Sequence, residues 1–371
     1  MFRNSHSLPK SGIMLNMRDL SRRAILFAPA ALAGAGAAAE TDVVRLPKKI
    51  RVGILGFEGH TGEITAPLKR LPDVEIVAYW SSDGKKQNRL PGAKHYTDWK
   101  EMLDNEKLDV VSITNNNGER AEAIVEAAKR KINIVAEKPL SIDKAGLDAV
   151  RREVERNKVS LGMLLNMRYS PRFLALKKIV SEGQIGEVIQ IASQKSYKLG
   201  ARAQWFKKTS TYGGSITWVG IHMLDLMRWT SGREFTSVAG FETRMGRSVG
   251  DMETATASVL QLDNGGLATL RIDYLRPETA PSHEDDRLRL AGTKGIVEYQ
   301  ASTGVTLMTA DAKPVAITEL PAAQSLFVDY LNATYNGKAP TITLTDIYRI
   351  CEVTLAAEEA ANRGAMVRIS S

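Results

Sequence analysis

The sequence predicts an α/β chain: a doubly wound parallel sheet, then an α/β domain with a large, mostly antiparallel open sheet. Two observations carry this. Strand-like and helical runs alternate from about residue 48 to 165, the order that a parallel sheet with crossover helices produces. Beyond that point strand-length runs and tight turns dominate until two helical segments close the chain. A length of 371 residues suits two domains, and 43% apolar with 25% charged residues is a globular composition.

The expected elements follow in order. Arg51–Gly56 is a short apolar run ending in glycine, read as a buried strand. Thr61–Leu71 places Ile64, Leu68 and Leu71 at helical spacing, and Val74–Trp80 is a second strand. Trp99–Leu103 is a short helix, Leu108–Thr114 a third strand, Ala121–Arg130 an Ala-rich helix and Ile132–Ala136 a fourth strand. Asp143–Arg156 is helical and Val159–Leu165 strand-like, closing a first domain at residues 48–165. In residues 166–371, Pro171–Glu182 is a helix stopped by glycines. Strands are expected at 188–197, 235–243, 254–262, 266–274, 287–291, 295–299 and 305–309. Asp263-Asn-Gly-Gly266 forms a hairpin turn, since Asn and Gly tolerate positive φ. Helices at 322–335 and 345–362 end the chain.

Residues 1–39 stand apart, with 40–47 as a linker. Residues 18–39 read RDLSRRAILFAPAALAGAGAAA: Arg22 and Arg23, an Ala/Leu/Phe stretch, then small residues. That is the order of an export signal, and Ser-Arg-Arg before a weakly apolar core resembles the twin-arginine type. The competing reading is an uncleaved anchor; the short Ala/Gly-rich stretch favours cleavage near Glu40. The mature chain is therefore expected in the periplasm or otherwise exported, meeting the membrane only in transit. Cleavage would remove Arg3, Lys10, Arg18, Arg22, Arg23 and Asp19. The 50 basic and 42 acidic residues would become 45 and 41, and the charge would fall from +8 to +4. No basic run suggests nucleic acid. Cys351 is the only cysteine, which excludes a disulfide framework, and no His pair has metal-ligand spacing, so no metal is expected.

Four segments carry chemistry. Gly56-Phe-Glu-Gly59-His-Thr-Gly62 follows the first strand, and glycines there let the backbone turn sharply and approach a pyrophosphate. It reads as G-x-x-G-x-x-G, with Glu58 where the usual fingerprint has its second glycine. At the end of the second strand stands Ser81 in place of the acid that binds NAD ribose hydroxyls, with Lys85 close behind. That pair favours NADP over NAD, with Asp83 as the alternative ribose ligand. Glu137-Lys138-Pro139 ends a strand of the same sheet, where side chains face the binding crevice. Finally, Tyr212-Gly-Gly-Ser-Ile-Thr-Trp218-Val-Gly-Ile-His222-Met-Leu-Asp225 enters a helix with His222 and Asp225 one turn apart. A lone histidine there is more often structural than catalytic.

Together these segments resemble the Gfo/Idh/MocA oxidoreductase family over about residues 48–371. The resemblance implies a Rossmann domain with a second open-sheet domain, NAD(P) as cofactor, sugars, polyols or cyclitols as substrates, and homo-oligomers formed through the open sheet. It also implies that Lys138 and His222 are catalytic. His222 would act as general acid/base and Lys138 would position the reacting oxygen. Gly56, Gly59, Gly62, Ser81, Lys85, Asn116, Glu137 and Lys138 are then the expected cofactor residues. Arg168, Tyr197, Trp205, Trp218 and Asp225 are the expected substrate residues, with Asp225 a candidate support for His222. Lys195, sharing a strand face with Tyr197, can line the crevice, whereas the acidic loop 281–286 reads as solvated. The chain departs from the family in two places. Trp218 stands where many members carry an aspartate, and Arg120 where relatives have a histidine after the third strand. Two other readings stay open: redox-assisted glycoside cleavage, and a cofactor-bound sugar-binding protein whose chemistry is lost.

Overall fold

The computed structural model describes residues 42–83, 89–246 and 249–369, all within one compact unit, Gly36–Ser371. The export-signal reading of residues 1–39 and the cofactor role of Lys85 lie outside the described residues.

The first sheet is parallel, and its strands are β1 (Ile50–Leu55), β2 (Val74–Trp80), β3 (Lys94–Tyr96), β4 (Val110–Ile113), β5 (Asn133–Ala136) and β6 (Leu161–Met163). Among the described residues their order is β3-β2-β1-β4-β5-β6. The order reverses beside β1, so β1 and β4 diverge at a switch point whose carboxyl ends open on a crevice. β1 and β4 are almost wholly buried, as central parallel strands covered on both faces must be.

The helix expected over Thr61–Leu71 is broken. α1 (Gly62–Thr65) is one turn, and Ala66–Arg70 continues as a 3-10 turn with Pro67 in its first turn. α2 (Trp99–Asn105), α3 (Asn117–Lys129) and α4 (Lys144–Asn157) complete the layers. Asp98, Asn116 and Asp143 cap their first turns, each accepting a backbone N–H hydrogen bond. The expected linker is packed rather than loose: Leu46 is buried and Val44 N–H donates to the Arg70 carbonyl.

α5 (Pro171–Ser181) leads to the second sheet through β7 (Val188–Lys198). After it come α6 (Thr209–Tyr212), a π-helical turn at Ile216–Gly220 and α7 (Ile221–Ser231). Then follow β8 (Phe235–Thr243), β9 (Ala255–Leu262), β10 (Leu267–Arg276), β11 (Arg287–Gly292), β12 (Gly295–Gln300), β13 (Gly304–Thr309) and β14 (Ala312–Ile317). α8 (Leu326–Asn336), α9 (Leu344–Arg363) and the two-residue β15 (Val367–Arg368) end the described chain. The sheet order is β14-β13-β12-β11-β7-β10-β9-β8-β15, antiparallel except where β7 runs parallel to β10. β9 and β10 alternate buried and exposed residues. Leu260, Leu270 and Ile272 point inward, whereas Val259 and Leu267 on the other face are each 51% exposed. One face therefore packs on the helices and the other is open.

Candidate active site

The glycine turn is shaped by two contacts that only glycine permits. Gly56 has φ +94°, and a Cβ there would lie 2.7 Å from the Asn115 backbone nitrogen. A Cβ on Gly59 would lie 2.2 Å from Glu137 Oε2, whereas one on Gly62 would meet no protein atom within 4 Å. Between this turn, the end of β2 and segment 201–206 lies a cavity of about 340 Å3. Phe57, Glu58, Ser81, Asp83, Arg89 and Arg202 contribute to its lining. Ser81 donates to Asp83 at 2.8 Å, Arg89 pairs with Asp83 at 2.6 Å, and Ser82 donates to Glu58. Asn115 Oδ1 is buried without a hydrogen-bond partner among the described residues. The backbone that approaches closely at Gly56, the unpartnered Asn115 oxygen and the adjoining cavity fit a bound dinucleotide.

Two expected cofactor residues are engaged elsewhere. Asn116 uses its carbonyl oxygen to cap α3 through Glu119 N–H at 3.1 Å, so only its amino group is left for a ligand. Glu137 is fully buried, and its Oε2 accepts from both the backbone N–H (2.6 Å) and the Nδ1 (2.8 Å) of His60. It ties the glycine turn to the Glu-Lys-Pro segment. Burial alone would raise its pKa, but His60, Lys138 and Arg120 outweigh that and hold it at about 2. Arg120 is also fully buried and bonds the Asn117 side chain and the Pro139 and Asn115 carbonyls. It holds the loops after β4 and β5 in place.

Lys138 leaves the end of β5 across a cis Lys138–Pro139 bond and reaches into the second half of the molecule. Its Nζ donates to the Trp218 carbonyl and sits 3.4 Å from the centroid of the Trp218 ring. A desolvated cation–π contact of this kind contributes on the order of 2 kcal/mol. Burial is the main cause that brings the Lys138 pKa down to about 7; Arg120 and Lys195 act in the same direction and Glu137 opposes them. Trp218 lies in the π-helical turn, and His222 follows four residues later in α7. Turns of this type recur at functional sites. His222 is 5% exposed, and its Nδ1 has no partner among the described residues. Burial first, then Lys138, Lys195 and His60, push its pKa well below the ordinary imidazole value, so the ring is neutral.

Around this pair stands an aromatic wall. Trp205 stacks on Phe206 with centroids 3.9 Å apart, and the Trp218 ring meets Trp205 edge-on at 5.3 Å. Tyr212 lies against Phe206 and its hydroxyl shares a 3.0 Å hydrogen bond with that of Tyr274, whose ring centroid is 6.1 Å from that of Tyr197. The structure thus groups Tyr197, Trp205 and Trp218 with Lys138. Lys195, buried 5.3 Å from the Tyr197 ring centroid, pairs with Asp286 at 2.6 Å and stays charged. Asp286 itself is 3% exposed, which corrects the expectation of a wholly solvated acidic loop.

Arg168 and Asp225 are not brought to the crevice. Their side chains form a fully buried bidentate pair, Nε–Oδ2 at 2.8 Å and Nη2–Oδ1 at 2.6 Å. Arg168 also bonds Asp346 and the Thr341 carbonyl. Both Asp225 oxygens are engaged by Arg168, so the pair locks α7 to the end of the first sheet and to α9 instead of supporting His222. Behind Gly214, Glu242, Glu253 and Glu358 approach within 4.8 Å of one another, a carboxylate cluster that sequence reasoning did not foresee.

Residues 50–164 match the oxidoreductase family with an NAD-binding Rossmann fold, and residues 173–298 match the GFO/IDH/MocA C-terminal domain. The chain belongs to the Gfo/Idh/MocA oxidoreductase family. Like its relatives, this family member is an NAD(P)-dependent oxidoreductase. It is similar to the myo-inositol 2-dehydrogenase of Thermotoga maritima, 27% identical over 66% of this chain and 74% of that one. It is also 24% identical to a scyllo-inositol 2-dehydrogenase (NAD(+)) of Bacillus subtilis, over 72% of this chain and 80% of the other. A solved structure from Thermotoga maritima, assigned only as an oxidoreductase, shares 34% identity with a TM-score of 0.80. That match covers 86% of this chain and 100% of the other. Levoglucosan dehydrogenase in complex with NADH and L-sorbose shares the fold at TM-score 0.73 and 17% identity, over 87% of this chain and 100% of that one.

The residue that sequence reasoning missed is His60. It sits inside the glycine turn, which was read for its glycines alone. Its ring lies 5.7 Å from that of His222 at an interplanar angle of 88°.

Proposed function

We propose that the chain is an exported dehydrogenase that interconverts a hydroxyl and a carbonyl on a sugar, polyol or cyclitol, with NADP favoured over NAD. The observation that carries this reading is the bond from Lys138, at the end of β5, to the helical segment bearing His222. It joins the crevice end of the first sheet to a neutral histidine. A bound dinucleotide supplies the hydride acceptor or donor. The chain's own residues do the rest. His222, unprotonated in its buried site, takes the proton of a substrate hydroxyl. The Lys138 ammonium donates to the same oxygen and positions it. Trp218 and Trp205 offer flat apolar surface to the face of a ring, and Tyr197 adds a hydroxyl at the margin.

The relatives named for inositols, and the levoglucosan enzyme holding L-sorbose, support a polyhydroxylated ring as substrate. NADP is supported by Arg89 and Arg202 at the cavity beside Ser81, with Lys85 following in sequence. The open face of the second sheet, with Phe241 69% exposed beside Val259 and Leu267, supports a homo-oligomer. The arginine pair and weakly apolar stretch before Glu40 support export.

A panel of cyclitols, anhydrosugars and aldoses, assayed for dinucleotide reduction, tests the reading. Reduction that disappears in His222→Ala and Lys138→Ala is the expected result. Trp218 in the aspartate position favours a second reading, redox-assisted glycoside cleavage. In that case an aryl glycoside would release its aglycone with no net change in dinucleotide.

A further inference from the structure

We propose that His60, oriented by Glu137, is the proton relay that carries the proton from His222 to solvent. The inference rests on the dehydrogenase reading above and adds a residue to that site.

The geometry leads to it from three sides. First, His222 needs an exit. The ring is 5% exposed, and the cations nearest it, Lys138 and Lys195, are buried. Lys195 is held by Asp286 and Lys138 by the Trp218 carbonyl, so neither leads outward. Second, His60 packs against His222, edge to face at 5.7 Å between ring centroids, and its side chain is 35% exposed. The edge-to-face contact sets the two rings next to each other with one of them reaching solvent. Third, Glu137 accepts from His60 at Nδ1, which leaves Nε2 as the atom that gains or loses a proton. A carboxylate on one ring nitrogen stabilises the imidazolium formed at the other. Glu137 is buried and ionised, and its backbone contact to His60 N–H fixes the ring's origin. Lys138, Lys195 and His60 act on His222, and Glu137, on which Lys138 and Arg120 also act, contacts His60. Glu137 is in contact with His60, so a proton moving from His222 to His60 approaches a carboxylate.

The step balances. A bound dinucleotide would take the substrate's carbon-bound hydrogen as hydride, with the C–H electron pair, and the O–H proton goes to His222. That proton passes to His60 Nε2 and then to water, returning His222 to its neutral form.

The test uses the whole chain with 15N-labelled histidine. The rings are assigned by single replacements and titrated by NMR over about pH 5–9. A His222 ring that stays neutral across this range, with its 15N signals altered in His60→Gln, is expected. Unchanged His222 signals in that variant would overturn the proposal. Dinucleotide binding, followed by tryptophan fluorescence, shows that the variant keeps its fold. With myo-inositol and levoglucosan as probes, His60→Gln should lower kcat by about 10–100-fold at little change in KM. It should also enlarge the solvent isotope effect, and added imidazole should restore turnover in His60→Ala. A kcat, pH profile and solvent isotope effect equal to those of the unaltered protein, or no rescue, would refute it. Failure of the unaltered protein to turn over any polyol would count against the dehydrogenase reading, while the His222 signals still decide the relay.

Discussion

Lys138 shows how a residue suited to chemistry is costly to the fold. A solvated lysine titrates near 10.5, but burial holds this one at about 7. The folded state therefore disfavours the cation. That cost is fully present below pH 7 and fades as the pH rises towards 10.5. Lys138→Met should stabilise the protein by about 1–3 kcal/mol near pH 6.5, with a smaller gain near pH 9.5, while abolishing turnover. Thermal unfolding at the two pH values checks this. Arg168 and Asp225 show the opposite case. Asp225→Asn leaves a guanidinium at 1% exposure with half of its bidentate partner gone, and should cost about 3–5 kcal/mol in urea unfolding. Dinucleotide affinity of the folded variant should not change. Arg168 was expected at the substrate for its place after the last strand of the first sheet, and Asp225 for its motif spacing, which reports what is one helical turn apart. It does not report which side of the helix faces a buried arginine. His60 was illegible for a related reason: nothing in a glycine pattern says that the intervening side chain folds back onto a carboxylate 77 residues later.

Among the elements, the glycine turn separates packing from binding. Gly56→Ala must move the turn away from Asn115 against a φ of +94°, so it should lower both stability and dinucleotide affinity. Gly62→Ala meets no protein atom, so its unfolding midpoint should match that of the unaltered protein while NADP affinity falls at least several-fold. Fluorescence titration and thermal unfolding of the two variants check the contrast; equal affinity in Gly62→Ala would mean that the ligand does not approach this turn. Element identity was largely legible, because buried parallel strands are unbroken apolar runs and β8 to β10 alternate with period two. The misses have physical causes. Pro67, with no N–H to donate, falls where α1 gives way to a 3-10 turn. β14 is mostly exposed at the sheet edge and contains Pro314, so it lacks the apolar alternation that marks a strand. The π-helical turn before His222 inserts one residue per turn, which period 3.6 cannot reveal.

At the scale of the whole molecule, two sheets divide the labour: the parallel one presents the dinucleotide crevice, and the other carries His222 on one face and an open surface on the other. Exposed Phe241, Val259 and Leu267 make that surface the expected subunit contact. Light scattering after size exclusion should give a multiple of the chain mass, and Phe241→Lys combined with Val259→Lys should shift it towards the monomer. Two sheets, a parallel one followed by a mostly antiparallel one, were legible from the change in texture near residue 165. The substrate was not, because Tyr197, Trp205 and Trp218 converge only through the fold. In the proposed reaction Lys138 and His222, from different halves of the chain, act on one hydroxyl. The most direct measurement is the near-ultraviolet absorbance of reduced nicotinamide when the protein is mixed with NADP or NAD and a panel of cyclitols and anhydrosugars. A rise that depends on the polyol and is lost in both His222→Ala and Lys138→Ala, with dinucleotide binding intact, is the predicted result. A rise that survives either replacement, or a bound dinucleotide that no polyol reduces, would contradict it.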